Sequence, residues 1–127
     1  QVYACCIEPL LARGVHVFCD RYWYDDLVYR GYWVDEALIR RLYAPIGTPD
    51  LALMLDVPPM ATLRRNRDRS DGASPLLRDL AAIAELRRRF LGLAEREGLA
   101  VLDGDRAPAT IAEECGARVL DLLERTA

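Results

Sequence analysis

Val15-His16-Val17-Phe18-Cys19-Asp20-Arg21-Tyr22 is a short apolar run that stops abruptly in an acid, a base and an aromatic ring. Apolar runs of this length, rich in β-branched and aromatic residues, are the pattern of strands buried in a parallel sheet. Residues 15–19 are therefore expected to form a strand, with His16 a core or sheet-face histidine rather than a catalytic one. Open α/β sheets bind ligands beyond the carboxyl ends of their strands, where Asp20 and Arg21 fall. A plain strand-end ion pair or surface loop is the alternative for these two charges.

Working outward, residues 2–13 have helical spacing, with Pro9 marking a kink or a helix start and Gly14 a C-cap. From Asp26 to Tyr43 the apolar residues again fit a helix, and Gly31 splits it into two pieces with a bend. Ala44 to Pro49 is a Pro- and Gly-rich loop, and Leu51 to Val57 is a second buried strand. A helix begins near Pro59, since proline suits a first helical turn, and it ends in an arginine-rich stretch. Asp68 to Pro75 is polar and reads as a loop. The longest helix spans 76–97, with Leu77, Leu80, Ile83, Ala84, Phe90, Leu91 and Ala94 inward and Gly98 ending it. Residues 99–103 form a third strand, Gly104-Asp105-Arg106 a turn, and Pro108 opens the last helix.

Strands alternating with helices define an α/β fold with a mainly parallel sheet and flanking helices. Residues 1–127 make one domain, but three strands are few for such a sheet, which is expected to be incomplete. A net charge of −3 carries no nucleic-acid signature, so nucleic acid is excluded as a partner. No apolar run approaches the roughly 20 residues of a membrane span, and no secretory signal is present. Cys5, Cys6, Cys19 and Cys115 lack CxxC or metal-like spacing with the lone His16, so reduced, buried thiols in a cytoplasmic protein are expected. The chain starts with Gln1 inside a helix, as a fragment or processed chain would.

Three constellations could carry chemistry. Arg64, Arg65, Arg67 and Arg69 place four guanidiniums on a helix end, where they repel unless they face a polyanion such as phosphate. A solvated face balanced by Asp68 and Asp71 is the plainer alternative. Asp20-Arg21-Tyr22, followed by Asp25, Asp26, Tyr29 and Arg30, sets an acid able to hold Mg²⁺ through water beside a base able to clamp phosphate. Tyr22, Trp23, Tyr24 and Tyr29 offer flat faces for stacking, or ordinary packing. Asp103-Gly104-Asp105-Arg106 is either a ligand-facing turn or simply a strand-to-helix turn. Arg87-Arg88-Arg89 reads as a solvated helix face.

In order, these pieces resemble the thymidylate kinase-like family of P-loop nucleoside-monophosphate kinases. The matching residues are Asp20-Arg21-Tyr22 after a strand, then Val28-Tyr29-Arg30-Gly31, similar to that family's A-Y-Q-G. Pro49-Asp50-Leu51 then leads into Leu55-Asp56-Val57-Pro58-Pro59, and Arg65 and Arg69 sit where the family's lid lies. Phe90-Leu91-Gly92-Leu93-Ala94 is similar to Y-L-x-L-A, and Asp103-Gly104 to the turn after the last strand.

The resemblance implies a P-loop NTPase-type, three-layer parallel sheet and ATP- and Mg²⁺-dependent phosphoryl transfer to a nucleoside 5′-monophosphate, dTMP first. Such transfer depends on positioning and charge neutralisation. Asp20 would place Mg²⁺ or the acceptor, Arg21 would bridge the phosphates, and Arg65 and Arg69 would close as a lid. Tyr22, Asp25, Asp26 and Tyr29 would bind the acceptor, and Arg67, Asp103, Gly104 and Arg106 the donor. A homodimer is compatible with this and not required by it.

Two departures stand out. Asp25 and Asp26 replace the small or neutral polar residues the family usually offers near the acceptor base, which leaves room for another phosphorylated acceptor. The chain also has no lysine and no G-x-x-x-x-G-K-[ST], so it is expected to be the C-terminal part of a longer kinase, without the P-loop and first two strands and inactive alone. The rival reading is a non-catalytic nucleotide-binding or interaction module.

Overall fold

The computed structural model describes residues 2–67 and 75–126. They fall into two compact units, Gln1–Thr48 and Pro49–Ala127.

The first unit opens on a π-helical turn, Tyr3–Ile7, that runs into helix α1 (Glu8–Leu11). Pro9 supplies the reason: it has no N–H for the carbonyl one turn back, and the Glu8 N–H reaches Tyr3 O in a widened turn instead. Gly14, at φ 72°, closes α1. The Val15 N–H bonds Leu10 O at 3.0 Å and the Gly14 N–H bonds Leu11 O at 2.9 Å, the paired bonds of a Schellman cap.

Residues 15–19 do not form the expected strand. They belong to no ladder, and Phe18 is 76% exposed. A strand exists only by pairing with a neighbour, and none of the described residues provides one. His16 is exposed rather than a core histidine, and Cys5, Cys6 and Cys19 are exposed free thiols, not the buried ones expected.

The 26–43 region is two helices, as the glycine suggested. Helix α2 (Tyr24–Tyr29) tightens into a 3-10 turn (Arg30–Tyr32), and α3 (Glu36–Tyr43) starts afresh. Asp35 caps α3 by accepting from Ala37 N at 2.6 Å. Leu27, Val28 and Ile39 form the small core of this unit.

The second unit holds a two-stranded parallel sheet, β1 (Leu53–Asp56) and β2 (Ala100–Asp103). A parallel pair requires a long crossover, here α4 (Pro59–Arg67), a 3-10 turn (Pro75–Arg78) and α5 (Leu80–Glu97). Asp79 caps α5 and left-handed Gly98 ends it. The α5 stripe that packs inward is Ile83, Leu86, Leu93 and Ala94, joined by Ala61, Leu63 and Leu102. Ala84 is exposed and Leu80 40% exposed, so the expected inward face is rotated from the observed one. Pro108 opens α6 (Pro108–Thr126), which buries no residue fully. Among the described residues no helix is long and apolar enough to cross a membrane.

The register sets Asp56 opposite Asp103, so two carboxylates stand side by side at the carboxyl end of the sheet. Arg87 supplies the counter-charge for Asp56, and Arg106 Nε lies 3.9 Å from Asp103 Oδ2.

Candidate active site

In the first unit a cavity of about 540 Å³ is lined by Tyr3, Asp20, Arg21, Tyr22, Asp25, Asp26, Tyr29 and Tyr43, among others. All six site residues expected from this part of the chain are brought together here. Arg21 has a left-handed backbone at φ 65°, the one non-glycine residue described with positive φ. That conformation crowds the β-carbon, and such strain persists only where surrounding contacts over-determine it. Tyr22 supplies one such contact by donating its hydroxyl to Gly47 O at 2.8 Å.

Asp25 and Asp26 are adjacent in sequence but differ in environment. Burial raises Asp25 above the usual carboxylate range; Arg21, 3.5 Å away, opposes the shift, while Asp26 and Asp20 add to it. For Asp26, burial again acts upward, but hydrogen bonds from Tyr43 and Arg30 outweigh it and leave the pKa lowered. Both Asp26 oxygens are engaged: Oδ1 by Arg30 Nε at 2.8 Å and Oδ2 by the Tyr43 hydroxyl. Asp26 thus ties α2 to α3. Desolvation raises Tyr22 and Tyr29, keeping both phenols neutral as donors. Trp23 stacks on Tyr43 at 6.0 Å between ring centroids, so those rings are largely committed to packing.

Tyr43 and Tyr3 escaped the sequence reading. They lie far along the chain from Asp20, on helices whose spacing explained them as packing, and only their meeting at the cavity marks them.

In the second unit three of the four expected donor-binding residues, Asp103, Gly104 and Arg106, lie together at the carboxyl end of β2, and Arg65, expected in the lid, joins them there while Arg67 does not. Arg65 Nη1 donates to Gly104 O at 3.1 Å and Nη2 to Asp105 Oδ1 at 2.9 Å. Arg106 turns back instead, donating to Asp103 O at 3.1 Å and pairing with Glu114 at 2.5 Å. The Arg106 partnership, ahead of Arg118, lowers Glu114. Arg67 ends α4 and is exposed, and Arg69 lies outside the described residues. Gly104 is required by close approach: a Cβ there would sit 2.8 Å from Val57 Cγ2 and 3.2 Å from Asp56 O.

The triplet Arg87-Arg88-Arg89 divides. Arg88 and Arg89 pair with Glu85 on the same helix, and they hold it down to about pKa 2. Arg87 reaches Asp56 in a two-point grip that lowers the carboxyl. A triplet of identical residues carries no sign of which member faces the sheet. The α5 packing stripe decides it.

An arginine and a carboxylate at a cavity wall, with aromatic rings around them, suit phosphate and a flat polar ring. The thymidylate kinase family model matches residues 2–114. The chain is 31% identical over 120 residues to a probable thymidylate kinase of Pyrobaculum aerophilum, covering 94% of this chain and 59% of that protein. It is 31% identical over 133 residues to a thymidylate kinase of Desulfovibrio desulfuricans, covering 94% and 61%. It is 33% identical over 128 residues to one of Thermomicrobium roseum, covering 94% and 60%. The fold is mixed α/β with a small parallel sheet, consistent with that family's domain. The chain belongs to the thymidylate kinase family, and it spans about three fifths of the length of these relatives.

Proposed function

We propose that the polypeptide carrying this chain transfers the γ-phosphoryl group of ATP to a nucleoside 5′-monophosphate, with dTMP the first acceptor. We further propose that both units belong to one cytoplasmic kinase domain. The observation that carries this reading is Arg21: a strained arginine at the wall of the Asp20–Tyr29 cavity, its side chain 73% exposed. A guanidinium so placed can present paired N–H donors to phosphate oxygens, the geometry phosphate recognition favours.

Asp20 fits the expected Mg²⁺. It is an exposed carboxylate in the same wall, and Mg²⁺ keeps most of its waters while taking one or two carboxylates plus substrate phosphates. In this reading Asp20 acts on the ion through water. When bound, the ion neutralises charge between the phosphates. Tyr29 lies against the acceptor in this reading, and Arg21 holds the acceptor phosphate. The donor's phosphate cradle is assigned to a G-x-x-x-x-G-K-[ST] segment elsewhere in the polypeptide, since these residues contain neither that motif nor a lysine.

The test is ADP production by the full-length protein with dTMP, dUMP and other monophosphates. Turnover with dTMP best supports the reading. Nucleotide binding without turnover of any acceptor would favour a non-catalytic module. Asp25 favours a second reading, a related kinase of a different phosphorylated acceptor: a half-buried carboxyl is an acceptor of N–H or O–H groups that a small neutral residue would not be.

A further inference from the structure

We propose that Arg65 is a positioning residue for the donor nucleotide, acting through the turn 103–106, which it braces as a strut with Asp105. This rests on the kinase reading above.

One guanidinium holds two successive residues of the turn: a neutral carbonyl, Gly104 O at 3.1 Å, and a carboxylate, Asp105 Oδ1 at 2.9 Å. Both partners are themselves fixed. Gly104 is buried, donates its N–H to Asp56 O at 2.8 Å and has no room for even a methyl group. Asp105 donates its own N–H to Asp103 Oδ1 at 2.9 Å. Arg106, the other cation of the turn, is drawn off toward Glu114. The turn therefore hangs between β1 on one side and α4 on the other, and Arg65 is its link to α4.

The geometry decides between two roles. A cation that closes over transferring phosphates needs a free fork of donors, whereas Arg65 spends one N–H of each terminal nitrogen on the turn. The Arg65–Asp105 pair is part-exposed, so it adds little to global stability. What it does is hold a loop end to a rigid helix, and errors of about an ångström in such loops are costly to ligand affinity.

The experiment uses the full-length protein and the variants Arg65→Gln, Asp105→Asn, the double variant and Arg65→Lys, read by steady-state kinetics and by amide hydrogen exchange at residues 104–107. The expected result is a donor KM raised roughly five-fold in each single variant, the size a part-exposed charge pair can carry. Acceptor KM and kcat should hold, and the double variant should be no worse than either single one. Exchange at 104–107 should quicken, and Arg65→Lys should recover part of the loss. The proposal is overturned if Arg65→Gln lowers kcat while Asp105→Asn is silent, which would put Arg65 on the reacting phosphates. It is also overturned if exchange at 104–107 is unchanged. A wild-type protein without turnover would sink the kinase reading, while the exchange rates would still judge the strut.

Discussion

Arg87 grips Asp56 through two parallel hydrogen bonds, Nε to Oδ1 at 2.6 Å and Nη2 to Oδ2 at 2.8 Å. The pair joins the middle of α5 to the end of β1 and supplies the counter-charge for one of the two facing strand-end carboxylates. Asp56 is lowered by Arg87, so its contribution to stability is present above the unfolded-state pKa and is lost as pH falls through the folded one. Arg87→Ala in the full-length protein should cost about 1 kcal/mol at neutral pH. The cost should shrink below about pH 4, the ordinary carboxylate range. Denaturant melts at several pH values check this, and a pH-independent cost would count against the pairing.

Asp25 and Asp26 should respond oppositely to the same substitution. The Asp25 pKa is raised by burial, so its ionised form opposes folding at neutral pH, and Asp25→Asn should raise the melting temperature. The lowered Asp26 stabilises the fold above its unfolded-state pKa, a contribution lost as pH falls through the folded one, and Asp26→Asn should lower the melting temperature by loosening Arg30 and Tyr43. Acceptor preference should move in Asp25→Asn, measured as the ratio of kcat/KM for dTMP against other monophosphates. If only Asp26→Asn moves that ratio, the assignment of Asp25 to the acceptor is wrong.

Two glycine-to-alanine changes should also differ in sign. Gly104→Ala drives a methyl group into Val57 and the Asp56 carbonyl, and overpacking of this kind costs roughly 1–3 kcal/mol. Gly116 lies within α6 with nothing within 4 Å of an added Cβ, so Gly116→Ala should gain up to about 1 kcal/mol of helix propensity. Thermal melts of the two variants decide it; a neutral Gly104→Ala would mean the strand end can open without cost.

Arg21→Gly should separate stability from function. Glycine takes φ 65° freely, so relieving the left-handed backbone should stabilise by up to about 1 kcal/mol. The same change deletes the guanidinium proposed to hold phosphate, and the acceptor KM should rise at least tenfold, roughly the loss of one charge-assisted contact. A rise in melting temperature with kinetics unchanged would remove Arg21 from the site.

Chain-local chemistry decided a good deal on its own. Pro59, Pro108, Gly14 and Gly98 mark helix ends because a missing N–H or a left-handed backbone acts within one turn, whatever surrounds it. The apolar runs 51–57 and 99–103 were legible as parallel strands, of which 53–56 and 100–103 pair, and the order of motifs pointed to the nucleotide-kinase family. What needed neighbours was not legible. Residues 15–19 have the composition of a strand, but pairing is a property of two segments, so they remain a largely exposed stretch in no ladder. Asp25 and Asp26 look alike in the sequence and both line the cavity, and only Tyr43, distant along the chain, makes Asp26 a tie between helices. Arg65 likewise reads as a free cation until the turn at Gly104 and Asp105 meets it. Backbone punctuation is written locally because its energetics are local. Which charge meets which depends on tertiary packing, since electrostatic and hydrogen-bond partners are set by distance in space.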